Sequence, residues 1–129
     1  MYNDAENWLD AVLAGDFPET VKGLVFNIYD DGDDCWSFEA VGTSRFDMID
    51  EDWACDEVTD FETRDDPFSW EEEADSDEIL QKVCDIISAY LVNGSLAEKL
   101  KTLDGIGAAF IDGDMQVLYS KKSMEDWLL

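Results

Sequence analysis

The sequence predicts a single α+β domain over residues 1–129, with an antiparallel β-sheet (two hairpins plus a possible extra strand) and helices packed on one face. Two apolar runs of period two meet at a polar turn within residues 21–41, which is typical of a β-hairpin. A second such pair meets at Asp112-Gly113. Between them, apolar side chains recur with helical spacing over residues 79–91. This order of elements favours helices that cover one face of a shared sheet.

The first expected element is an amphipathic helix over residues 3–14. Asn3 or Asp4 lies near its N-cap, because short polar side chains accept hydrogen bonds from the first turn. Gly15 ends the helix. Its apolar face consists of Trp8, Leu9, Val12 and Leu13.

The first hairpin is predicted from two alternating runs. Residues 21–29 form one strand, the acidic loop 30–34 reverses the chain, and residues 35–41 return as the second strand. One face of each strand is apolar. These faces consist of Leu24, Phe26 and Ile28 on the first strand and of Trp36, Phe38 and Ala40 on the second.

The segment after this hairpin has no clean periodicity. A short third strand is expected around residues 54–61, with Cys55 or Val58 pointing inward. Residues 63–70 are expected to form a loop, in which Pro67 favours extended backbone at the residue before it.

The clearest element is a long amphipathic helix. Asp75 and Glu78 have the spacing of a capping box at its start, and Asn93-Gly94 is expected to end it in a left-handed conformation. Its apolar stripe consists of Ile79, Leu80, Val83, Ile86, Ile87, Tyr90 and Leu91.

Two short helical elements are also expected. Ser95 and Glu98 repeat the capping-box spacing, which predicts a helix over residues 96–102. Residues 123–129 are expected to form a terminal helical turn that docks through Trp127.

A final hairpin joins residues 105–111 to residues 114–119. Asp112-Gly113 suits a type I′ turn, which needs positive φ at both central residues. Gly107 and Ala109 are small and share one face, so another group, such as a helix, is expected to pack closely there.

The charge of the chain is large and unevenly distributed. The formal net charge is -25 over 129 residues, and residues 47–78 alone hold sixteen acidic residues and one base. Aromatic residues make up 12% of the chain, whereas disordered acidic chains are poor in aromatic side chains. We therefore expect a folded protein that uses its charge to attract a basic partner.

Catalysis, metal binding and cofactor binding are not expected. Histidine, the commonest general base, is absent, and the sequence has no nucleophile elbow, phosphate-binding loop or dinucleotide fingerprint. The acidic turns at 30–34 and 112–114 have the wrong register for a calcium loop. The three cysteines have no CxxC spacing, which indicates reduced structural thiols in a reducing compartment.

Acidic and aromatic side chains alternate through the segment 45–70 and form the candidate partner-binding site. With so few bases nearby, internal ion pairs do not explain this charge. Carboxylates speed association with a basic protein, and aromatic side chains anchor it. The candidate residues are Asp47, Asp50, Glu51, Asp52, Trp53, Asp56, Glu57, Asp60, Glu62, Asp65, Asp66, Phe68 and Trp70.

Two stretches, Asp52-Trp53-Ala54-Cys55-Asp56 and the hairpin from Gly105 to Asp114, occur in a small acidic chain. In this combination the sequence resembles the immunity proteins of bacterial polymorphic-toxin and contact-dependent inhibition systems. The resemblance implies a cytoplasmic protein that binds a cognate toxin domain, often a basic nuclease, and blocks its active site or another essential surface.

Two other functions remain open. A nucleic-acid mimic that occupies a DNA-binding protein would share the electrostatics. The acidity of a structural or adaptor domain would reflect only solubility or a salt-rich habitat. Direct binding to nucleic acid or to an anionic membrane is not expected, because like charges repel. The first residues lack the basic region of a signal peptide, and no apolar run approaches the roughly 18 residues of a membrane span, which favours a cytoplasmic location.

Overall fold

The computed structural model describes residues 1–123 and 125–126, and it describes Thr59 by its backbone alone. The docking expected of Trp127 lies outside the described residues. The elements are α1 (Tyr2–Val12), β1 (Gly23–Gly32), β2 (Cys35–Thr43), a 3₁₀ helix (Glu51–Cys55), β3 (Glu57–Glu62), β4 (Phe68–Glu71), α2 (Ser76–Asn93), α3 (Ala97–Leu100), β5 (Gly105–Phe110) and β6 (Gln116–Ser120).

All the strands belong to one sheet, which confirms the α+β class. The strand order is β3-β2-β1-β5-β6, and β4 also pairs with β2. Every pair is antiparallel except β1 and β5, which run parallel at the centre of the sheet. The sequence predicted only antiparallel pairing. The parallel pair arises because the helical connection through α2 returns the chain to the edge at which β1 begins.

One face of the sheet packs against α1 and α2 and holds the larger part of the core. The predicted apolar faces of both strands of the first hairpin are buried here, as are Ile106 and Ala108 of β5. The predicted stripes of both helices pack here too, with Trp8, Val12 and Leu80 half-buried. Two hydrogen bonds fix α1. Tyr90 Oη donates to Asp10 Oδ1 at 2.6 Å, and Trp8 Nε1 donates to the Asp66 carbonyl at 2.8 Å. Because the apolar side chains of both helices pack into this core, both predicted helix stripes are confirmed.

The opposite face of the sheet has a smaller core. Val25 and Val41 lie on the strands, and Phe46 and Trp53 from the connection after β2 pack onto them, with ring centroids 4.8 Å apart. A Cβ at Gly107 would stand 2.9 Å from Trp53 Cζ2. The close approach predicted at Gly107 is thus confirmed, but the group that packs there comes from the 3₁₀ helix and not from α1 or α2.

The two hairpins turn differently. Asp33 and Asp34 have φ values of 53° and 61°, so the first turn has the two positive φ angles of a type I′ turn. The type I′ turn predicted at Asp112-Gly113 is wrong, since neither residue has positive φ. Instead Gly113 N donates to the Phe110 carbonyl at 2.9 Å, and residues 111–115 form a longer connection.

Of the predicted caps, only the one at the start of α2 is confirmed. Asp75 accepts a hydrogen bond from Glu78 N at 2.9 Å. Neither α1 nor α3 has a side-chain cap, so the caps expected at Asn3 or Asp4 and at Ser95 are wrong. Gly94 is not left-handed; a Cβ there would stand 2.6 Å from the Tyr90 ring, which accounts for the glycine.

The acidic segment contains two strands where one was expected. The predicted loop 63–70 is wrong in its second half, because Phe68 and Trp70 of β4 pair with Phe38 and Trp36 across the antiparallel ladder. Cross-strand aromatic pairs of this kind stabilise a sheet. Val58 packs against the main core as predicted, whereas Cys55 ends the 3₁₀ helix and is exposed.

Gly107→Ala should destabilise the protein by about 1–3 kcal/mol, because the new methyl group would stand 2.5 Å from Met115 Sδ and displace Trp53. Urea unfolding followed by tryptophan fluorescence measures this loss. Gly15→Ala is the matched control, since no atom lies within 4 Å of its added Cβ. Equal stability of the two variants would contradict the packing described for Trp53.

Candidate functional site

The candidate site lies where four parts of the chain reach the same edge of the sheet. The parallel strands β1 and β5 both end there, β2 begins there, and β4 ends there before α2 starts. Glu72 N donates to the Asp34 carbonyl at 2.8 Å, which ties the first hairpin turn to the chain after β4. We call this edge the acidic pole. It consists of Asp30, Asp31, Asp33, Asp34, Glu71, Glu72, Glu73, Asp75, Asp77, Glu78, Asp112 and Asp114.

The opposite edge of the sheet holds most of the basic residues. Lys22 precedes β1, and its carbonyl accepts a hydrogen bond from Asp104 N at 2.8 Å. Lys121 follows β6, and its N donates to the Asp104 carbonyl at 2.9 Å. Five of the eight basic residues lie at or beside this edge, so charge is separated along the direction of β1. They are Lys22, Lys99, Lys101, Lys121 and Lys122.

The carboxylates of the acidic pole are exposed and have few ion pairs. Among the described residues, only Glu72 of the pole forms one, with Lys82 Nζ at 2.7 Å. Trp70 Nε1 also donates to Glu72 at 3.0 Å. The hydrogen bond from Lys82, and then that from Trp70, lowers the pKa of Glu72. The rest of the pole therefore presents unneutralised charge to solvent.

Part of this charge also stabilises α2. Asp75 caps the helix, and Asp77 and Glu78 lie in its first turn, where the helix dipole favours negative charge. The hairpin and loop acids, such as Asp31, Asp112 and Asp114, have no such position at a helix end. These acids therefore do not stabilise a helix end.

A cleft of about 780 Å³ opens at the acidic pole. Asp30, Asp77, Asp112 and Asp114 contribute to its lining. Apolar side chains complete the lining, among them Ile28, Leu80, Phe110 and Ile111, and Ile111 is 56% exposed. An apolar cleft with carboxylates around it suits a partner surface that is both basic and apolar.

A second, smaller pocket of about 290 Å³ lies on the face of the sheet opposite the helices; we call it the second-face pocket. Asn27 and Ala109 line it from the strands, and Gly113 belongs to the lining of both cavities. The acidic pole is therefore continuous with this pocket. Glu51, Asp52, Ala54, Cys55 and Glu57 line its other side.

Several of the acids predicted as a binding site have local structural roles. Arg45 lies 3.6 Å from Asp50 and forms a closer ion pair with Asp56. Asp47 accepts hydrogen bonds from the backbone of Ile49 at 2.8 Å and of Asp50 at 3.1 Å, and these bonds lower its pKa. The expectation that this segment lacks internal ion pairs is thus wrong in part.

Arg64 organises a polar cluster on the face opposite the helices. Its guanidinium lies 3.0 Å from Glu39 and 2.5 Å from Glu57, and the two carboxylates raise its pKa. Glu39 is only 6% exposed and also accepts a hydrogen bond from Asn27 Nδ2 at 3.5 Å. Burial raises the pKa of Tyr29 to about 12, and the neighbouring Glu39 contributes. Glu39 was not among the predicted site residues, although it alternates with the apolar residues Phe38 and Ala40 of β2.

The remaining predicted residues are dispersed. Asp60 accepts a hydrogen bond from Thr20 Oγ1 at 2.5 Å, and Glu62 accepts one from Arg64 N at 2.8 Å. Asp65 and Asp66 lie in the turn before β4, while Phe68 and Trp70 are half-buried against the main core. The structure brings together Glu51, Asp52 and Glu57 beside the acidic pole, and it does not place the whole predicted set on one surface.

Trp53 was predicted to contact the partner, and this prediction is wrong. Its side chain is 0% exposed, so it cannot contact a partner in this structure. Within the described part of the chain its Nε1 has no hydrogen-bond partner. Trp53 anchors the 3₁₀ helix to the sheet and thereby positions Glu51 and Asp52.

The acids of the two hairpin connections were not predicted to lie together; the sequence indicated only that neither connection is a calcium loop. The acidic turns at 30–34 and 112–114 were visible in the sequence, but their proximity depends on the parallel pairing of β1 and β5.

Over the described residues, no group of three or more acidic or cysteine side chains is arranged to hold a metal ion. The helices described are too short or too polar to cross a membrane.

Comparison of the chain with protein-family models, with curated proteins and with solved structures finds no match. The resemblance to immunity proteins stays a prediction.

Arg64→Met should destabilise the protein by about 1–3 kcal/mol, because it leaves the buried Glu39 carboxylate without its guanidinium. Arg45→Met is a matched control: the two arginine side chains are 42% and 45% exposed, but the acids that Arg45 holds are themselves exposed. Chemical denaturation should show a smaller loss for Arg45→Met. Adding Glu39→Gln to Arg64→Met should recover part of the loss, and strictly additive effects would contradict the cluster.

Tyr29 should make the fold sensitive to alkaline pH. Its pKa is about 12 in the folded protein and about 10 in an unfolded chain. Its contribution to stability is therefore complete below pH 10 and is lost as the pH rises from 10 to 12. Unfolding free energies measured across this range should fall more steeply for the wild type than for Tyr29→Phe, and parallel curves would contradict the assignment.

Proposed function

We propose that this protein binds a basic protein partner through the acidic pole and the adjoining second-face pocket. One observation carries the proposal: twelve acidic residues from three separate stretches of the chain (30–34, 71–78 and 112–114) meet at one edge of the sheet, and most of the bases lie at the other. Like charges gathered in this way repel one another and reduce stability. Such a cost is expected where the charge is used for binding.

The physical effect of this arrangement is steered association. A surface of one sign raises the encounter rate with an oppositely charged partner by about 10-fold to 10³-fold, and salt weakens the effect. The charge separation would also orient the partner, since the edge with the lysines, where acids such as Glu19 and Asp104 offset the basic charge, would attract it less. The apolar side chains in the cleft at the pole, including Ile111, would supply contact area after the encounter.

We infer that the partner is a cognate toxin domain and that the protein acts as a cytoplasmic immunity protein without catalysis. An enzyme that acts on nucleic acid presents positive charge to its substrate, and a surface rich in carboxylates competes for that charge. The resemblance to immunity proteins supports the same function. A nucleic-acid mimic would need carboxylates along an extended row, whereas the acids of the pole come from three short stretches that end at one edge of the sheet.

Co-expression is the direct test. The C-terminal domain encoded by a neighbouring reading frame should arrest growth of a host cell, and this protein should restore growth and co-purify with that domain. A neighbouring domain that is toxic but is neither bound nor neutralised would contradict the proposal, and so would the absence of any toxic domain beside the gene.

Charge reversal at the acidic pole should then slow association with that domain. The triple variant Asp31→Lys, Glu73→Lys, Asp114→Lys changes exposed carboxylates that form no described ion pair. Stopped-flow measurement at low salt should give an association rate on the order of tenfold lower and a weaker salt dependence.

The matched control carries the same change in net charge at the opposite edge. Asp16→Lys, Glu19→Lys, Asp104→Lys adds three bases there: Glu19 and Asp104 line one pocket with Lys22 and Lys121, and Asp16 lies in the same connection between α1 and β1. This variant should retain most of the wild-type rate. Equal slowing by the two triple variants would show that only net charge matters, and it would overturn the placement of the site.

A further inference from the structure

We propose that a basic, amphipathic helix of the partner docks in a groove between α1 and α2, beside the acidic pole. This inference rests on the proposed function and deepens it by naming the kind of structural element that the partner presents. Three observations combine: apolar side chains line part of the groove, carboxylates on α2 line another part, and the groove shares residues with the acidic pole. We call this cavity the helix groove.

The helix groove opens beside the first turns of α1 and α2. Further along the two helices, Tyr90 of α2 donates a hydrogen bond to Asp10 of α1 at 2.6 Å. Among the described residues, no side-chain hydrogen bond or ion pair joins the first turn of α1 to α2. The helices are therefore linked towards their C-terminal ends only, and a space of about 690 Å³ lies beside their N-terminal ends.

Apolar side chains line part of the helix groove. Met1 and Tyr2 contribute from the start of α1, and Ile86 contributes from α2. Met1 is 40% exposed and is one of four large apolar side chains that the described part of the chain exposes. Ile111, another of the four, lies in the cleft at the acidic pole. Exposed apolar groups thus border the pole in two cavities, as is typical of a surface that binds another protein.

The charged side of the helix groove consists of carboxylates on α2. Asp77, Glu78 and Asp85 contribute to the lining. Lys82 also lines the groove, but its Nζ lies 2.7 Å from Glu72, and Asp85 has no ion pair among the described residues. The groove therefore presents negative charge that no neighbouring base offsets. Such a surface fits lysine or arginine side chains next to an apolar contact.

The position of the helix groove indicates a helix as its occupant. Two helices bound the groove, and helices pack by fitting ridges of side chains into the grooves of their neighbours. A helix that binds in this way places apolar side chains at helical spacing in the groove and keeps its polar side chains at the rim. Asp77 lines both the helix groove and the cleft at the acidic pole, so one partner can contact both.

A designed peptide of leucine and lysine is the probe, because it needs no identified partner. With about 15 residues, and with leucines at positions i, i+3, i+4 and i+7, it forms an amphipathic helix of marginal stability in water. Fluorescence anisotropy at fixed ionic strength should show binding at least about tenfold tighter than that of a scrambled peptide of the same composition, since burial of one leucine accounts for such a factor.

Equal affinities of the two peptides would show that only charge is recognised and would overturn the proposal. A third peptide, with glutamate in place of lysine and the same leucine spacing, should not bind. Binding of this acidic peptide as tight as that of the basic one would overturn the role given to the carboxylates of the helix groove.

Variants of Tyr2 test the apolar part of the groove. Tyr2→Gln should weaken binding of the amphipathic peptide about fivefold, because it removes apolar contact area, and should leave the scrambled peptide unaffected. Tyr2→Phe keeps the ring and should bind as the wild type does. Unchanged binding of the amphipathic peptide by a folded Tyr2→Gln variant would contradict the proposal.

A charge reversal tests the carboxylates and keeps the test valid if Tyr2→Gln fails to fold. Asp85 is exposed, and Asp85→Lys should weaken binding of the amphipathic peptide about fivefold, because it replaces an attraction by a repulsion. Glu98→Lys is the matched control: it makes the same change in net charge on α3, where the Glu98 side chain is 93% exposed. Equal weakening by the two variants would contradict the placement in the helix groove.

The outcome is distinguishable from that of the proposed function. Unchanged binding of the toxin domain by Tyr2→Gln and Asp85→Lys would refute only the helix groove. Selective binding of the amphipathic peptide by a protein that neutralises no toxin domain would refute only the immunity function.

Discussion

The parallel pairing of β1 with β5 is the constraint on which the rest of the structure depends. Because parallel strands end at the same edge, this pair brings the acidic turn after β1 and the acidic loop after β5 together. Antiparallel pairing makes β2 begin at the edge where β1 ends, which places Cys35 beside the acids. In the same way β6 ends at the edge where β5 begins, which places Lys121 beside the start of β1 and β5. Charge separation along the molecule thus follows directly from strand direction.

The central strands are buried from both sides, and this permits a charged surface to coexist with a stable fold. Helices α1 and α2 cover one face, and Trp53 with Phe46 covers part of the other. The acids that hold this second layer in place are already committed to local bonds, such as those of Asp50 and Asp56 with Arg45. The acids of the acidic pole outside α2 lie at the strand ends, and among the described residues only Glu72 of them forms an ion pair.

Local patterns in the sequence predicted local structure well. The stripe of α2, its Asp75 cap and the alternation of the first hairpin needed only neighbouring residues. The role of Trp53 and the strand at Phe68 were missed, because each depends on a surface formed by distant residues. The acidic pole was missed for the same reason. Counting charge along the chain favoured the segment 47–78, which contains the pole acids of residues 71–78 but not those of the turns at 30–34 and 112–114.

Hydrogen–deuterium exchange of the protein, alone and bound to the toxin domain proposed as its partner, tests the central claim most directly. Contact slows exchange of the covered amides, so the account predicts slower exchange in residues 30–34, 71–78 and 110–114, and in the 3₁₀ helix. Residues 97–104 and 118–122, at the edge with the lysines, should exchange as in the free protein. Slower exchange confined to that edge, or to β3 and the turn before β4, would contradict the account.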